Sequence, residues 1–268
     1  MKSLVIAAHS GHELLLWKWL RNERPDFVVL TNGAGSSGVP RLEPTVDNLA
    51  RAGANWIPGV VQPVADADIY RSLLEGDTGL FARWVEALTG HVVEQGIECI
   101  VADEAEDYNP SHDLCRLLAN QVAARATARG RMVASFGYPT VGHPSPPARL
   151  SCERHVVVEL DERELQAKLD DMHGYARSFG GQLEKELAGF IAEFGARAYG
   201  RECLFAAQPT RYEQSQPPAT KPAFELFGEE RVAAGVYKHV IRGTHLQVVA
   251  DRLRGPVHRH DSPPPTPR

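Results

Sequence analysis

Four short apolar runs, each closed by turn chemistry, constrain the fold of this chain more than any other feature. "SLVIAA" (3–8), "DFVVLTNG" (26–33), "ECIVADE" (98–104) and "RMVASFGYP" (131–139) read as strands, and the first two are unbroken enough to be buried on both faces. "HELLLWKWLRNE" (12–23) follows the first run as a helix, and "HDLCRLLANQVAARATARG" (112–130) follows the third with apolar residues at helical spacing. Between the second and third runs, "DADIYRSLLEG" and "GLFARWVEALTGHVVEQG" are helical as well. Strands alternating with helices predict an α/β fold: a Rossmann-like, mostly parallel sheet with helices on both faces.

Beyond residue 151 the pattern changes. "RHVVVEL" (154–160) reads as a further strand, and residues 161–200 read as two helices broken near Gly174 or Gly180. A Pro/Gln-rich loop (208–222) leads into "FELFGEERVAAGVYKHVIRG", whose type the pattern leaves open. We expect a single domain over 1–254, with a core at 1–150, a C-terminal α+β extension at 151–254, and a proline-rich disordered tail at 255–268. His258 and His260 fall in that tail and are read as inert.

A formal charge of −5, with 29 basic against 34 acidic residues and no basic stripe, argues against nucleic acid and anionic membranes as partners. No apolar run reaches the roughly 20 residues of a membrane helix, and Met1-Lys2-Ser3 leads straight into a strand, so a cytoplasmic protein is expected. Cys99, Cys115, Cys152 and Cys203 are far apart, which suggests neither disulfides nor a cysteine zinc site.

The chemistry gathers at two stretches of similar layout, "IAAHSGHELL" and "VADEAEDYNPSHDLC". Each begins at the carboxyl end of an expected parallel strand, where open α/β sheets collect ligands, and each ends in a helix start. Ser10 and Glu13 fit a capping box, which puts His12 in the first turn. Asn109 before Pro110 is a strong start signal, which puts His112 in the first turn too. A helix N-terminus disfavours imidazolium, and neutral imidazole is the metal-binding form. His9, His12 and His112 therefore form a candidate triad of metal ligands. Three protein ligands and an open fourth position are the arrangement of catalytic zinc.

At these residues, "AHSGHE" (8–13) and "NPSH" (109–112), the sequence resembles the PIG-L/LmbE-type deacetylases, zinc enzymes that remove an acyl group from an amino sugar or related amide. The likeness covers the first half of the chain. It implies Zn2+ as cofactor, hydrolysis of an amide on a small polar substrate, His9 as the first metal ligand and His112 as the last. The family's middle ligand is an aspartate, here His12; its catalytic base is an aspartate, here Gly11; the histidine and aspartate of its second motif are here Asn109 and Ser111. A His₃ set still suits zinc, whereas glycine takes no proton.

Substitutes for the missing base are Asp103 first, then Glu106, both in the "DEAED" cluster, and Glu13, whose capping role competes. His143, His239 and His245 are more distant alternatives. Loss of the base also leaves room for a relative repurposed to another zinc-assisted biosynthetic reaction, or for a metabolite-binding protein without catalysis. "TNGAGSSG" (31–38) lacks the order of a nucleotide loop and is read as a flexible substrate loop at the sheet edge. Of Trp17 and Trp19, one is expected in the core and the other part-exposed, a candidate homo-oligomer contact.

Overall fold

Parallel strands covered on both faces must send alternate side chains into two separate cores, and β1 (Ser3–Ala7) does this. Leu4 and Ile6 join one apolar cluster, Val5 and Ala7 another. The computed structural model describes residues 1–35, 38–215 and 219–254. After β1 and a 3-10 turn at His12–Leu16 come α1 (Trp17–Glu23), β2 (Asp26–Val29), α2 (Leu42–Ala52), β3 (Asn55–Trp56), α3 (Asp66–Glu75), α4 (Gly79–Gln95) and β4 (Cys99–Asp103). They are followed by α5 (Pro110–Ala128), β5 (Ala134–Tyr138), α6 (Pro147–Leu150), β6 (His155–Glu159), α7 (Glu162–Phe179) and α8 (Gln182–Phe194). The chain continues through β7 (Arg201–Ala206), α9 (Ala223–Ala233) and α10 (Gly243–Leu253).

The seven strands form one sheet in the order β3-β2-β1-β4-β5-β7-β6. The first five are parallel; β7 runs antiparallel to β5, and β6 antiparallel to β7. The expected α/β class, mostly parallel with helices on both faces, is what the chain adopts. The order reverses between β1 and β4, and the crevice at their carboxyl ends is where such sheets bind ligands. Ser3 through Ile6 pair with Cys99 through Ala102, so the next residues of both strands, Ala7–Ala8 and Asp103, emerge side by side.

The C-terminal half adds a helical hairpin. The break between its helices falls at Gly180–Gly181, both in the left-handed region, and not at Gly174. Leu169, Met172, Ala176, Leu187 and Tyr199 form its own apolar cluster together with Leu14. The stretch left open at 224–243 forms α9 and the connection to α10. Trp19 is buried; Trp17 lies under the Arg21 guanidinium and donates to Asp171 Oδ2 of α7 at 2.6 Å, so its packing is within the chain. No helix among the described residues is long and apolar enough to cross a membrane. The expected disordered tail, 255–268, and Ser36–Ser37 of the glycine-rich loop lie outside the described residues.

Candidate metal centre

The crevice between β1 and β4 collects His9 from the end of β1, His12 from the 3-10 turn and His112 from the first turn of α5. Asn109 fixes that last position: its side chain accepts from Ser111 N–H at 2.8 Å, and Pro110 opens the helix as the sequence predicts. The expected capping box at Ser10–Glu13 does not form. Gly11 is the N-cap, at φ +97°, and Glu13 reaches back to the Gly11 N–H at 2.8 Å; Ser10 Oγ is buried without a partner. The left-handed residue turns the chain sharply, and glycine takes that conformation freely.

The three imidazoles stand mutually edge-on, with centroids 5.4 Å (His9–His12), 5.0 Å (His9–His112) and 4.8 Å (His12–His112) apart. Each ring has an oxygen partner at Nδ1. His9 Nδ1 meets Thr31 Oγ1 at 2.9 Å and Asp66 Oδ1 at 3.1 Å; His12 Nδ1 meets Asp103 Oδ2 at 2.9 Å; His112 Nδ1 meets Thr140 Oγ1 at 2.9 Å. That leaves Nε2 as the remaining nitrogen of each ring, and His9 Nε2 is buried with no hydrogen-bond partner. Imidazoles bonded through Nε2 to one tetrahedral zinc, at about 2.05 Å each, have centroids roughly 5.2 Å apart, so the spacing found fits a shared ion. Among the described residues, the potential ligand atoms that lie within 4.8 Å of one another belong to His12, Asp103 and His112, a group that does not include His9. Asp103 stands behind the His12 ring, on its Nδ1 side, in the position of the carboxylate in a carboxylate–histidine–metal arrangement.

Protonation follows from these neighbours. Burial, and then the adjoining His12 and His9 rings, push His112 well below its ordinary value, which keeps it neutral. His12 departs from the expected neutrality. Burial pulls it down, but the Asp103 carboxylate outweighs burial and holds the imidazolium above the usual range. Asp66 shows the reciprocal effect: burial pushes it up, yet His9 holds it at about 2.

The sequence-predicted carboxylates are all near the centre and all engaged. Asp103 is 0% exposed; Oδ2 accepts from Ala8 N–H at 3.1 Å and faces His12, while Oδ1 accepts from Tyr138 O–H at 2.5 Å. Burial raises its pKa but His12 more than offsets this, so its pKa is depressed, the opposite of a base poised near neutrality. Glu106 accepts from the N–H groups of Thr140, Val141 and Gly142 and from Thr140 O–H. Glu13 accepts from Gly11 N–H, Thr45 O–H and Asn48 Nδ2. His143 accepts from Ser145 N–H and meets the Phe194 ring at a tilt, with centroids 5.3 Å apart, and His245 accepts from Arg242 N–H.

Position 11 has been filled from elsewhere. A Cβ there would lie 2.8 Å from Tyr175 Cε1 and 3.1 Å from its hydroxyl, so a side chain of α7 occupies the space beside the two N-terminal histidines. Sequence reasoning missed Tyr175, Asp66, Thr31 and Thr140. Thr31 and Thr140 follow the ends of β2 and β5, so the rule that ligands gather at carboxyl strand ends could have found them. No spacing marks Asp66 or Tyr175.

No protein-family model matches the chain, and no curated protein matches it in sequence. Among solved structures it is similar to the A40926 pseudoaglycone deacetylase Dbv21, at 17% identity and a TM-score of 0.50 over 76% of this chain and 96% of the other. The zinc inhibited form of teicoplanin deacetylase Orf2 aligns at 11% identity and a TM-score of 0.46 over 76% and 97%. What the chain shares with Dbv21 at this identity is the fold.

Proposed function

We propose that this chain is a zinc-dependent N-deacylase of the PIG-L/LmbE type, hydrolysing an amide on an amino sugar or related natural-product intermediate, with His9, His12 and His112 as the metal ligands. One observation carries the reading: three imidazoles converge in the switch-point crevice, each backed at Nδ1 by an oxygen, with a buried, unpartnered Nε2 on His9. The substrate class comes from the motifs "AHSGHE" and "NPSH" and from the fold shared with a pseudoaglycone deacetylase. Zinc held there supplies Lewis acidity that polarises a substrate carbonyl.

The chain's own residues do the rest. Asp66, Asp103 and Thr140 fix the ring orientations, and the two carboxylates raise ligand basicity. Tyr138 and Ala8 N–H hold Asp103 in turn, and Glu106 holds Thr140. Glu13 pins the left-handed turn that carries His12. The acid/base role expected of Asp103, Glu106 and Glu13 thus gives way to positioning, because every one of these carboxylates already accepts several hydrogen bonds. Gly11 under Tyr175 favours a second reading, a relative repurposed for a zinc-assisted reaction that needs no carboxylate at position 11. The protein is proposed to be a soluble cytoplasmic enzyme.

Elemental analysis of protein purified without a histidine tag is expected to find about one zinc per chain, lost in His112→Ala. Amine release from a panel of N-acyl amino sugars then separates the readings. Zinc with release supports the deacylase, zinc without release the repurposed enzyme, and a metal-free chain indifferent to chelators overturns both.

A further inference from the structure

Helix α9 and the turn after it present an apolar face to solvent. Leu226 is 49% exposed, Phe227 53%, Val236 51% and Tyr237 44%. The turn folds back on the helix, with the N–H groups of Val236 and Tyr237 donating to Arg231 O at 2.9 and 3.2 Å. The Phe227 and Tyr237 rings thereby meet edge-on, with centroids 6.3 Å apart, and the Arg231 guanidinium carbon lies 5.8 and 5.6 Å from those centroids. Arg231 follows Phe227 by one helical turn and Glu230 follows Leu226 by one, so both charges belong to the same surface.

The charges of this region fall into two groups. Glu225 and Glu229 are neutralised within the chain by Arg242, and Glu229 also by Lys221. Glu230 and Arg231 have no ion-pair partner among the described residues, and neither has Lys238, the exposed neighbour of Tyr237. Aromatic rings grouped about an arginine are the composition found at the centres of protein interfaces. An interface with two-fold symmetry sets one surface against itself, so that surface must carry both a group and its complement.

We propose that α9 and the turn at 234–237 form a two-fold interface with a second copy of this chain, Phe227 and Tyr237 packing at its centre and Glu230 of each copy meeting Arg231 of the other. The charges argue for a copy over a partner of one sign, since an acidic surface would face Glu230 and a basic one Arg231. Trp17, the contact expected from the sequence, packs within the chain, which leaves this face as the place for self-association. The inference uses no metal ligand and does not rest on the deacylase reading.

Sedimentation velocity of the intact chain up to about 100 μM tests this, and a concentration-dependent monomer–dimer equilibrium is expected, the same with and without a chelator. Phe227→Ser, Glu230→Arg and Arg231→Glu are each expected to raise the dissociation constant at least about tenfold. Mixing the Glu230→Arg and Arg231→Glu proteins is expected to restore dimers, because opposite charges then face each other again, and only across the interface proposed. Should Arg231→Glu disturb the rings beside it, Glu230→Arg and Phe227→Ser decide alone. A chain that stays monomeric overturns the proposal and leaves the face to another occupant, residues 255–268 of the chain itself included. Dimers that the single changes leave intact, or folded charge variants that do not recover on mixing, overturn it as well.

Discussion

An aspartate placed at position 11 meets two obstacles of different kinds. The backbone there is at φ +97°, which costs an L-residue about 1–2 kcal/mol, and the new Cβ would strike the Tyr175 ring, an overpacking worth about 1–3 kcal/mol. Gly11→Asp is expected to lower stability in urea unfolding by about 2–5 kcal/mol. Adding Tyr175→Ala should return the contact part and leave the backbone part, which a double-mutant cycle separates. A second residue-scale effect concerns Asp113, on α5 next to His112. Burial pushes its carboxyl up to about 7, even though Tyr212 O–H bonds it at 2.7 Å. The unfolded chain ionises this group near pH 4, so between about pH 4 and 7 the native state holds a proton that the unfolded state releases, and stability falls as pH rises. With a chelator present, the difference in unfolding free energy between the parent and Asp113→Asn is expected to decline by up to about 1.4 kcal/mol per pH unit across that window and to flatten above it. Much of the candidate centre was legible at this scale: the stretches "AHSGHE" and "NPSH" placed three rings together because strand ends and helix starts are local. The partners at Nδ1 were not, since Asp66 and Thr140 reach the rings through tertiary contacts that no spacing encodes.

At the scale of elements, α1 and β7 explain each other. The first N–H groups of a helix lack internal partners, and α1 has no local side-chain cap. Glu202, from β7, supplies one across the chain, accepting from Lys18 N–H at 2.9 and 3.1 Å and from Trp19 N–H at 2.7 Å. Lys168 of α7 closes the set, donating to Glu202 at 2.9 Å and to Leu15 O at 3.0 Å, with both charges buried. Breaking such a pair strands a charge. Glu202→Gln is expected to cost about 3–5 kcal/mol in urea unfolding, and the Lys168→Met/Glu202→Gln double variant less than the sum of the two single changes. The same residues show why β7 escaped detection. "RECLFA" puts Glu202 inside a short apolar strand, and its neutralising partner is 34 residues away. β1, β2 and β4 were readable because nothing polar interrupts them; α2, with a proline near its start, was not.

For the whole molecule, the extension beyond residue 151 is built into the core: β7 joins the sheet beside β5, α10 packs into the same cluster as α4 and α5, and Trp17 is roofed by α7. We therefore propose one cooperative unit over 1–254. Thermal unfolding followed by tryptophan fluorescence and by far-ultraviolet circular dichroism is expected to give coincident single transitions, and separated midpoints would argue for two units. The reliance of α1 on Glu202 also has a consequence in time. Ribosomes adding roughly 5–20 residues per second need on the order of 10–40 s to proceed from α1 to Glu202. Throughout that interval the first turn of α1 waits uncapped, and the histidines just before it stand without His112 for the first half. The order of synthesis therefore makes α1, though translated well before β7, wait for residue 202 before its first turn reaches its native state.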